Sequence, residues 1–171
     1  MESLIGGGGQ PIAGAVLAEG LGQATSPGRL QLVGIGPTVL VDAAHNPHGA
    51  RALAAALRES FDFDEWGIVL GVLDDKDAPG IVAALAPVAA HVFATAPASE
   101  RASDAERIAD LAESQELPVT VEPDLAAAAE SARAWAAASD RRAVVIAGSV
   151  VLAGEALALA SAEDWKSGWE S

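Results

Sequence analysis

The sequence contains no cysteine and no tyrosine, and only two of its 171 residues are lysines, Lys76 and Lys166. Without cysteine there is no disulfide framework, no thiolate nucleophile and no cysteine-based metal site, and a cytoplasmic protein is the natural expectation. Cations are scarce: 10 Lys plus Arg against 24 Asp plus Glu leave a net charge of −14. Such a surface repels a phosphate backbone, so nucleic acid is not an expected partner. Neither lysine follows a glycine, so there is no Gly-x-x-x-x-Gly-Lys phosphate loop, and Gly20-Leu21-Gly22 and Gly34-Ile35-Gly36 do not extend to Gly-x-Gly-x-x-Gly. A sustained apolar run is missing too. The longest uncharged stretch, Ala78 to Ser99, has roughly the length of a membrane span, but it is broken by Pro79, Pro87 and Pro97 and carries His91. Met1-Glu2-Ser3-Leu4-Ile5 leads straight into four glycines, without the basic and apolar segments of a signal peptide.

What is present is apolar and alternating. Hydrophobic residues make up 51% of the chain and charged ones 20%, enough to bury a core in one domain. From Thr38 onward, short β-prone runs alternate with Ala-rich helical segments, the pattern of a parallel sheet. Strands are expected at Thr38 to Asp42, Gly67 to Leu73, His91 to Ala96, Pro118 to Glu122 and Arg142 to Ala147. Consecutive apolar positions in Ile68-Val69-Leu70 and Val144-Val145-Ile146 fit strands covered on both faces. Helices are expected at about His48 to Ser60, Ala78 to Ala86, Ser103 to Glu116, Leu125 to Ala138 and Val150 to Ala160.

In the third of these helices, Ser103 and Glu106 have capping-box spacing, and Ile108, Leu111 and Ala112 form an apolar stripe. Residues 1–28 read as a lead-in: a Gly6 to Gly9 loop, a weak helix over Ile12 to Leu21, and a Thr25 to Gly28 turn. Leu30 to Val33 and Thr38 to Val41, joined by Gly34-Ile35-Gly36-Pro37, predict a hairpin that adds one antiparallel edge strand. Residues 161–171 read as a tail, either frayed or docked through its two tryptophans.

In open α/β sheets ligands gather at the carboxyl ends of the strands, so those ends carry the candidate chemistry. The first parallel strand runs into Asp42-Ala43-Ala44-His45-Asn46-Pro47-His48, which brings a carboxylate, two imidazoles and a carboxamide to one loop. Asp42 could accept from ribose hydroxyls, or simply cap the turn. His45 and Asn46 could hydrogen-bond a substrate head group, or serve only the loop. Two imidazoles at His45 and His48 fix no third ligand, so no metal site follows. In Asp74-Asp75-Lys76-Asp77 the plain reading is helix capping and mutual pairing. Arg101 could hold a carboxylate or phosphate, or form a surface ion pair. Ser149 stands at a helix start, where a hydroxyl and free amides bind a carboxylate or merely cap the helix.

Four blocks together resemble the C-terminal domain of folylpolyglutamate synthase/dihydrofolate synthase, in the Mur ligase superfamily. They are Thr25-Ser26-Pro27-Gly28-Arg29-Leu30, Asp42 through Ala50, Gly71 through Asp77, and Gly148 through Glu155. Ala43 stands where that family often has glycine, and Val150-Val151 replaces a common Leu-Tyr. The resemblance covers most of the chain and implies a single domain over residues 1–171. It would have a Rossmann-like three-layer α/β fold, mostly parallel with one antiparallel edge strand. It also implies an ATP-dependent ligase: ATP phosphorylates a pteroate or folate carboxylate, and the amino group of glutamate displaces phosphate to form the amide.

Carried over to this chain, the resemblance has Arg29 contacting ATP phosphates and Asp42 the ATP ribose, while His45 and Ser149 hold glutamate and Asn46 supports the same loop. ATP and Mg²⁺ would be bound mainly by an N-terminal ATPase domain, the implied partner. This chain would then be an excised or separately expressed C-terminal domain, inactive alone and holding neither a catalytic residue nor a metal ligand of its own. Two other readings stand beside it. One is the C-terminal domain of a peptidoglycan Mur ligase, which shares the Asp-x-Ala-His motif, although the Gly71 and Gly148 blocks favour the folate branch. The other is a non-catalytic α/β module that binds a small ligand or a protein partner.

Overall fold

The structure is a computed structural model that describes residues 29–166. The readings for residues 1–28 and for 167–171 lie outside the described residues. Six strands, β1 (Gln31–Gly34), β2 (Val39–Val41), β3 (Glu65–Leu70), β4 (Ala89–Ala94), β5 (Val119–Val121) and β6 (Arg142–Ala147), form one sheet in the order β1-β2-β6-β3-β4-β5. Only β1 is antiparallel, paired with β2 as the hairpin reading required. All the other neighbours run parallel.

Five helices cover the sheet: α1 (Pro47–Ser60), α2 (Ala78–Leu85), α3 (Ala105–Ser114), α4 (Leu125–Ala137) and α5 (Val150–Ala162). Strand residues alternate between two cores because successive side chains point to opposite faces. Ile68, Leu70, Ala143 and Val145 join Leu53 and Leu57 of α1, Ile81 and Leu85 of α2 and Ile108 of α3. On the other face, Val69, Val144 and Ile146 join Ala128 and Ala132 of α4 and Leu152 and Ala156 of α5. The helices α1 to α3 therefore lie on one face and α4 and α5 on the other. β6, sandwiched between them, is buried from Ala143 to Ala147, which is why it reads as an uninterrupted apolar run.

Local signals account for most helix starts. Asn46, Asp77, Asp124 and Ser149 each accept a backbone amide of the first turn with a side-chain oxygen, and Pro47 opens α1. In α1, the buried Ala50, Leu53, Ala54 and Leu57 form a stripe of helical period, with Arg51 and Arg58 left at the surface.

Three sequence expectations are corrected. The capping box at Ser103 is not made: Asp104 occupies the N-cap without a side-chain bond, because the Ser103 hydroxyl is drawn to Asp74 Oδ1 at 2.8 Å. The strand expected over Gly67 to Leu73 is shifted to Glu65–Leu70, since pairing with β6 runs from Glu65↔Arg142 to Leu70↔Ala147. β4 likewise begins at Ala89, opposite Trp66, rather than at His91. In the tail, Trp165 is buried, and its carbonyl accepts the Ile35 amide at 3.3 Å. Its indole also lies under the Arg133 guanidinium, 4.7 Å from the ring centroid.

The amino-terminal end of the sheet is closed by charge and aromatic packing. Arg141 reaches both Asp62 and Asp64, and these bonds raise its already high pKa. Arg142 pairs with Glu65 at 2.9 Å and lies over Trp135, 4.4 Å from its centroid. Trp135 sits directly on Gly67, where a Cβ would approach the indole to 2.8 Å, so only glycine fits there. Among the described residues no helix is long and apolar enough to cross a membrane.

Candidate functional site

The order β2-β6-β3 places a switch point in the sheet: β2 and β3 are followed by α1 and α2 on one face, and β6 between them by α5 on the other. Chains leaving adjacent carboxyl ends in opposite directions open a crevice there, the usual ligand position in such sheets. Three segments meet at it: Asp42 to His48 after β2, Gly148-Ser149 after β6, and Gly71 to Asp77 after β3.

Short backbone contacts weld them together. The Gly148 amide donates to the Ala44 carbonyl at 3.0 Å, Asp42 N–H to the Ile146 carbonyl at 3.0 Å, and Gly71 N–H to the Ala147 carbonyl at 3.3 Å. Gly148 has φ +113°, and a Cβ there would meet the Gly71 carbonyl oxygen at 2.5 Å. Both the conformation and the space exclude other residues. On the far side, Gly80 at the start of α2 leaves no room for a Cβ against Pro47 Cγ, 2.6 Å away.

Each sequence-predicted site residue can now be located. Asp42 is 8% exposed. Its Oδ1 accepts the Ala44 amide at 2.7 Å and its Oδ2 the Leu30 amide at 3.1 Å. Burial raises its pKa above the ordinary carboxylate value, while those two amides and the nearby Arg29 charge work against the shift. A carboxylate has about four lone-pair sites, so Asp42 keeps acceptor capacity beyond these two bonds. Arg29 is exposed and next to Leu30, whose φ of 44° is left-handed. The Asp42–Leu30 bond thus sets the turn that carries Arg29.

His45 is half-buried, with Nδ1 3.0 Å from the Ala43 carbonyl. A carbonyl only accepts, so Nδ1 is the donor of this bond, and in the neutral ring Nε2 is then the acceptor. Asn46 is exposed and caps α1 through Gly49 N–H at 2.7 Å, which leaves its NH₂ group as a donor. Ser149, 1% exposed, accepts Val151 N–H at 3.0 Å and Leu152 N–H at 3.2 Å, so its hydroxyl proton remains to be donated.

The crevice therefore brings together Asp42, His45, Asn46 and Ser149, with Arg29 beyond Asp42 on the β1 side. His48 is exposed on α1, and Arg101 pairs at the surface with Asp75 at 3.6 Å. Among the described residues no three His, Asp or Glu side chains gather as a metal site.

Sequence reasoning missed the Gly71–Gly148 contact and the Ser103–Asp74 bond. The doublet Gly148-Ser149 at a strand end was a legible sign of the first, whereas nothing local marks the second. Thr95, fully buried at the end of β4, carries a hydroxyl without a partner among the described residues.

Comparison with known proteins bears on the family and the fold. A family model described as Mur ligase, glutamate ligase domain, matches residues 28–150. The dihydrofolate synthase/folylpolyglutamate synthase of Mycobacterium tuberculosis is 39% identical over 182 residues, spanning 93% of this chain and 36% of the relative. The structure of Mycobacterium tuberculosis folylpolyglutamate synthase complexed with ADP matches with a TM-score of 0.76 and 46% identity, over 80% of this chain and 32% of that one. A bifunctional folylpolyglutamate synthase/dihydrofolate synthase with Mn, AMPPNP and L-glutamate bound matches with a TM-score of 0.67 and 28% identity, over 80% of this chain and 32% of that one. The chain thus spans about a third of the length of these relatives.

Proposed function

Because the chain belongs to the Mur ligase family through its glutamate ligase domain, we propose that it is the C-terminal, glutamate-side part of an ATP-dependent ligase joining glutamate to dihydropteroate or folate. The observation that carries this reading is the Gly148 to Ala44 bond. It draws the His45 loop and the Ser149 helix start into one crevice, in a chain whose relatives are folate ligases.

The division of labour follows the order of the strands. On the β1–β2 side, the remaining lone pairs of Asp42 accept from the ATP ribose, and Arg29 faces the phosphates, where a cation offsets the charge of the transferring group. On the β6–β3 side, the Ser149 hydroxyl donates to a glutamate carboxylate at the α5 N-terminus, where the helix dipole favours an anion. His45 Nε2 accepts an N–H of the glutamate amino group, and the Asn46 NH₂ group adds a donor beside it. The acid is activated as its acyl phosphate, and the amine displaces inorganic phosphate to leave the amide. An N-terminal ATPase domain is the partner that binds most of the ATP and the Mg²⁺.

The test is to supply this chain with and without that ATPase domain, in ATP, Mg²⁺, dihydropteroate and L-glutamate, and to follow the ligated product. Product is expected only when both are present. Product from this chain alone would overturn the division of labour. Ligation onto muramyl precursors in place of dihydropteroate would move the chain to the peptidoglycan branch.

A further inference from the structure

The segment after β3 carries three carboxylates in four residues, Asp74, Asp75 and Asp77, and each has its own partner. Asp77 caps α2 by accepting Gly80 N–H at 3.0 Å, and Asp75 pairs with Arg101. Asp74 Oδ1 accepts the hydroxyl of Ser103 at 2.8 Å. Ser103 has no exposed surface, and its oxygen in turn accepts Arg107 NH1 at 3.0 Å. Backbone bonds run alongside: Ser103 N–H to the Val72 carbonyl at 2.8 Å, Asp74 N–H to the Arg101 carbonyl at 2.6 Å, and an antiparallel bridge between Leu73 and Ala102.

This strapping holds one wall of the crevice. The wall starts at Gly71, whose carbonyl touches Gly148, and ends at Gly80, which touches Pro47 of the His45 loop. It therefore borders the His45 and Ser149 side of the site. Asp42 and Arg29 lie across β6, away from it. A buried serine that gives up its own helix cap to hold an exposed aspartate trades local helix stability for the placement of that wall.

We propose that Asp74 is a positioning residue for the amino-acid half of the site, acting through its bond to Ser103. The inference rests on the ligase reading above. Asp74 is exposed, so its substitution leaves the core intact, and asparagine keeps an oxygen for the Ser103 hydroxyl where alanine does not.

The experiment measures kcat and the KM values for L-glutamate and ATP on this chain joined by its ATPase domain. The unsubstituted chain, Asp74→Ala and Asp74→Asn are compared. Asp74→Ala is expected to raise the glutamate KM about tenfold, the loss of one hydrogen bond to a charged group, with the ATP KM unchanged. Asp74→Asn is expected to restore the glutamate KM. An unmoved glutamate KM, an equal rise for both substrates, or an asparagine variant as impaired as alanine would overturn the inference while leaving the ligase reading standing. Absence of product with the unsubstituted pair would overturn that reading, and this inference with it.

Discussion

The amide of Leu30 donates to Asp42 Oδ2 at 3.1 Å across twelve residues of sequence, and Leu30 holds a left-handed φ of 44° while doing so. Left-handed backbone is unfavourable for a residue with a Cβ and persists only where its surroundings enforce it. Asp42 supplies that enforcement, and through it the strand-end carboxylate governs where Arg29 sits.

Replacing Asp42 by asparagine leaves one carbonyl oxygen for two amides. One buried donor is then unpaired, at a cost of about 1–3 kcal/mol. Urea unfolding of Asp42→Asn is expected to show that loss, and amide NMR shifts are expected to concentrate at Arg29, Leu30 and Ala44.

Gly148 tests the close approach between β6 and β3. Alanine there combines a φ of +113° with a Cβ 2.5 Å from the Gly71 carbonyl, and strain and overlap together cost about 2–4 kcal/mol. Gly148→Ala is expected to unfold at markedly lower urea concentration. A variant as stable as the parent would mean that the two strand ends are not in contact in solution.

Ser149 has a structural role and a proposed binding role, and two substitutions separate them. Alanine at an N-cap costs about 1 kcal/mol, whereas glycine costs only a few tenths. Ser149→Ala is expected to lower stability and Ser149→Gly to leave it almost unchanged. Both lack the hydroxyl, so both are expected to raise the glutamate KM of the proposed ligase by a similar factor. A glutamate KM that follows stability instead would assign Ser149 to the helix cap alone.

His91 gives the fold a pH dependence. Its ring stacks on Phe93 at 4.4 Å, faces Trp135 and meets Thr120 Oγ1 at 2.8 Å. Burial and the Arg142 charge lower its pKa. The unfolded chain therefore binds this proton more readily than the folded one. Stability is accordingly expected to fall as the pH drops below about 6.5, the ordinary imidazole value, and to level off below the lowered folded-state value. Urea unfolding between pH 7 and 5 is expected to show this slope in the parent and to lose most of it in His91→Gln.

Much of the architecture was legible from residue order because periodicity reports what surrounds each side chain along its own segment. The apolar run of β6 announced a strand covered on both faces, the stripe Ile108, Leu111, Ala112 announced α3, and Asp42 and Ser149 marked a strand end and a helix start. Element ends were less legible, since the register against β6 decided where β3 and β4 begin. The Ser103 capping box failed for a related reason: a hydroxyl bonds the acceptor the fold brings nearest, and Asp74 is 29 residues away.

The sequence alone determined which residues could do chemistry, because a carboxylate, an imidazole and a helix-capping hydroxyl are properties of single positions. Only the tertiary structure decided that the strand ends carrying them are neighbours. The last strand among the described residues, β6, inserts between β2 and β3, so that Gly148 reaches both Ala44 and Gly71. Which strands become neighbours depends on how helices divide between the two faces of the sheet, a balance of packing over the whole domain that no local pattern encodes.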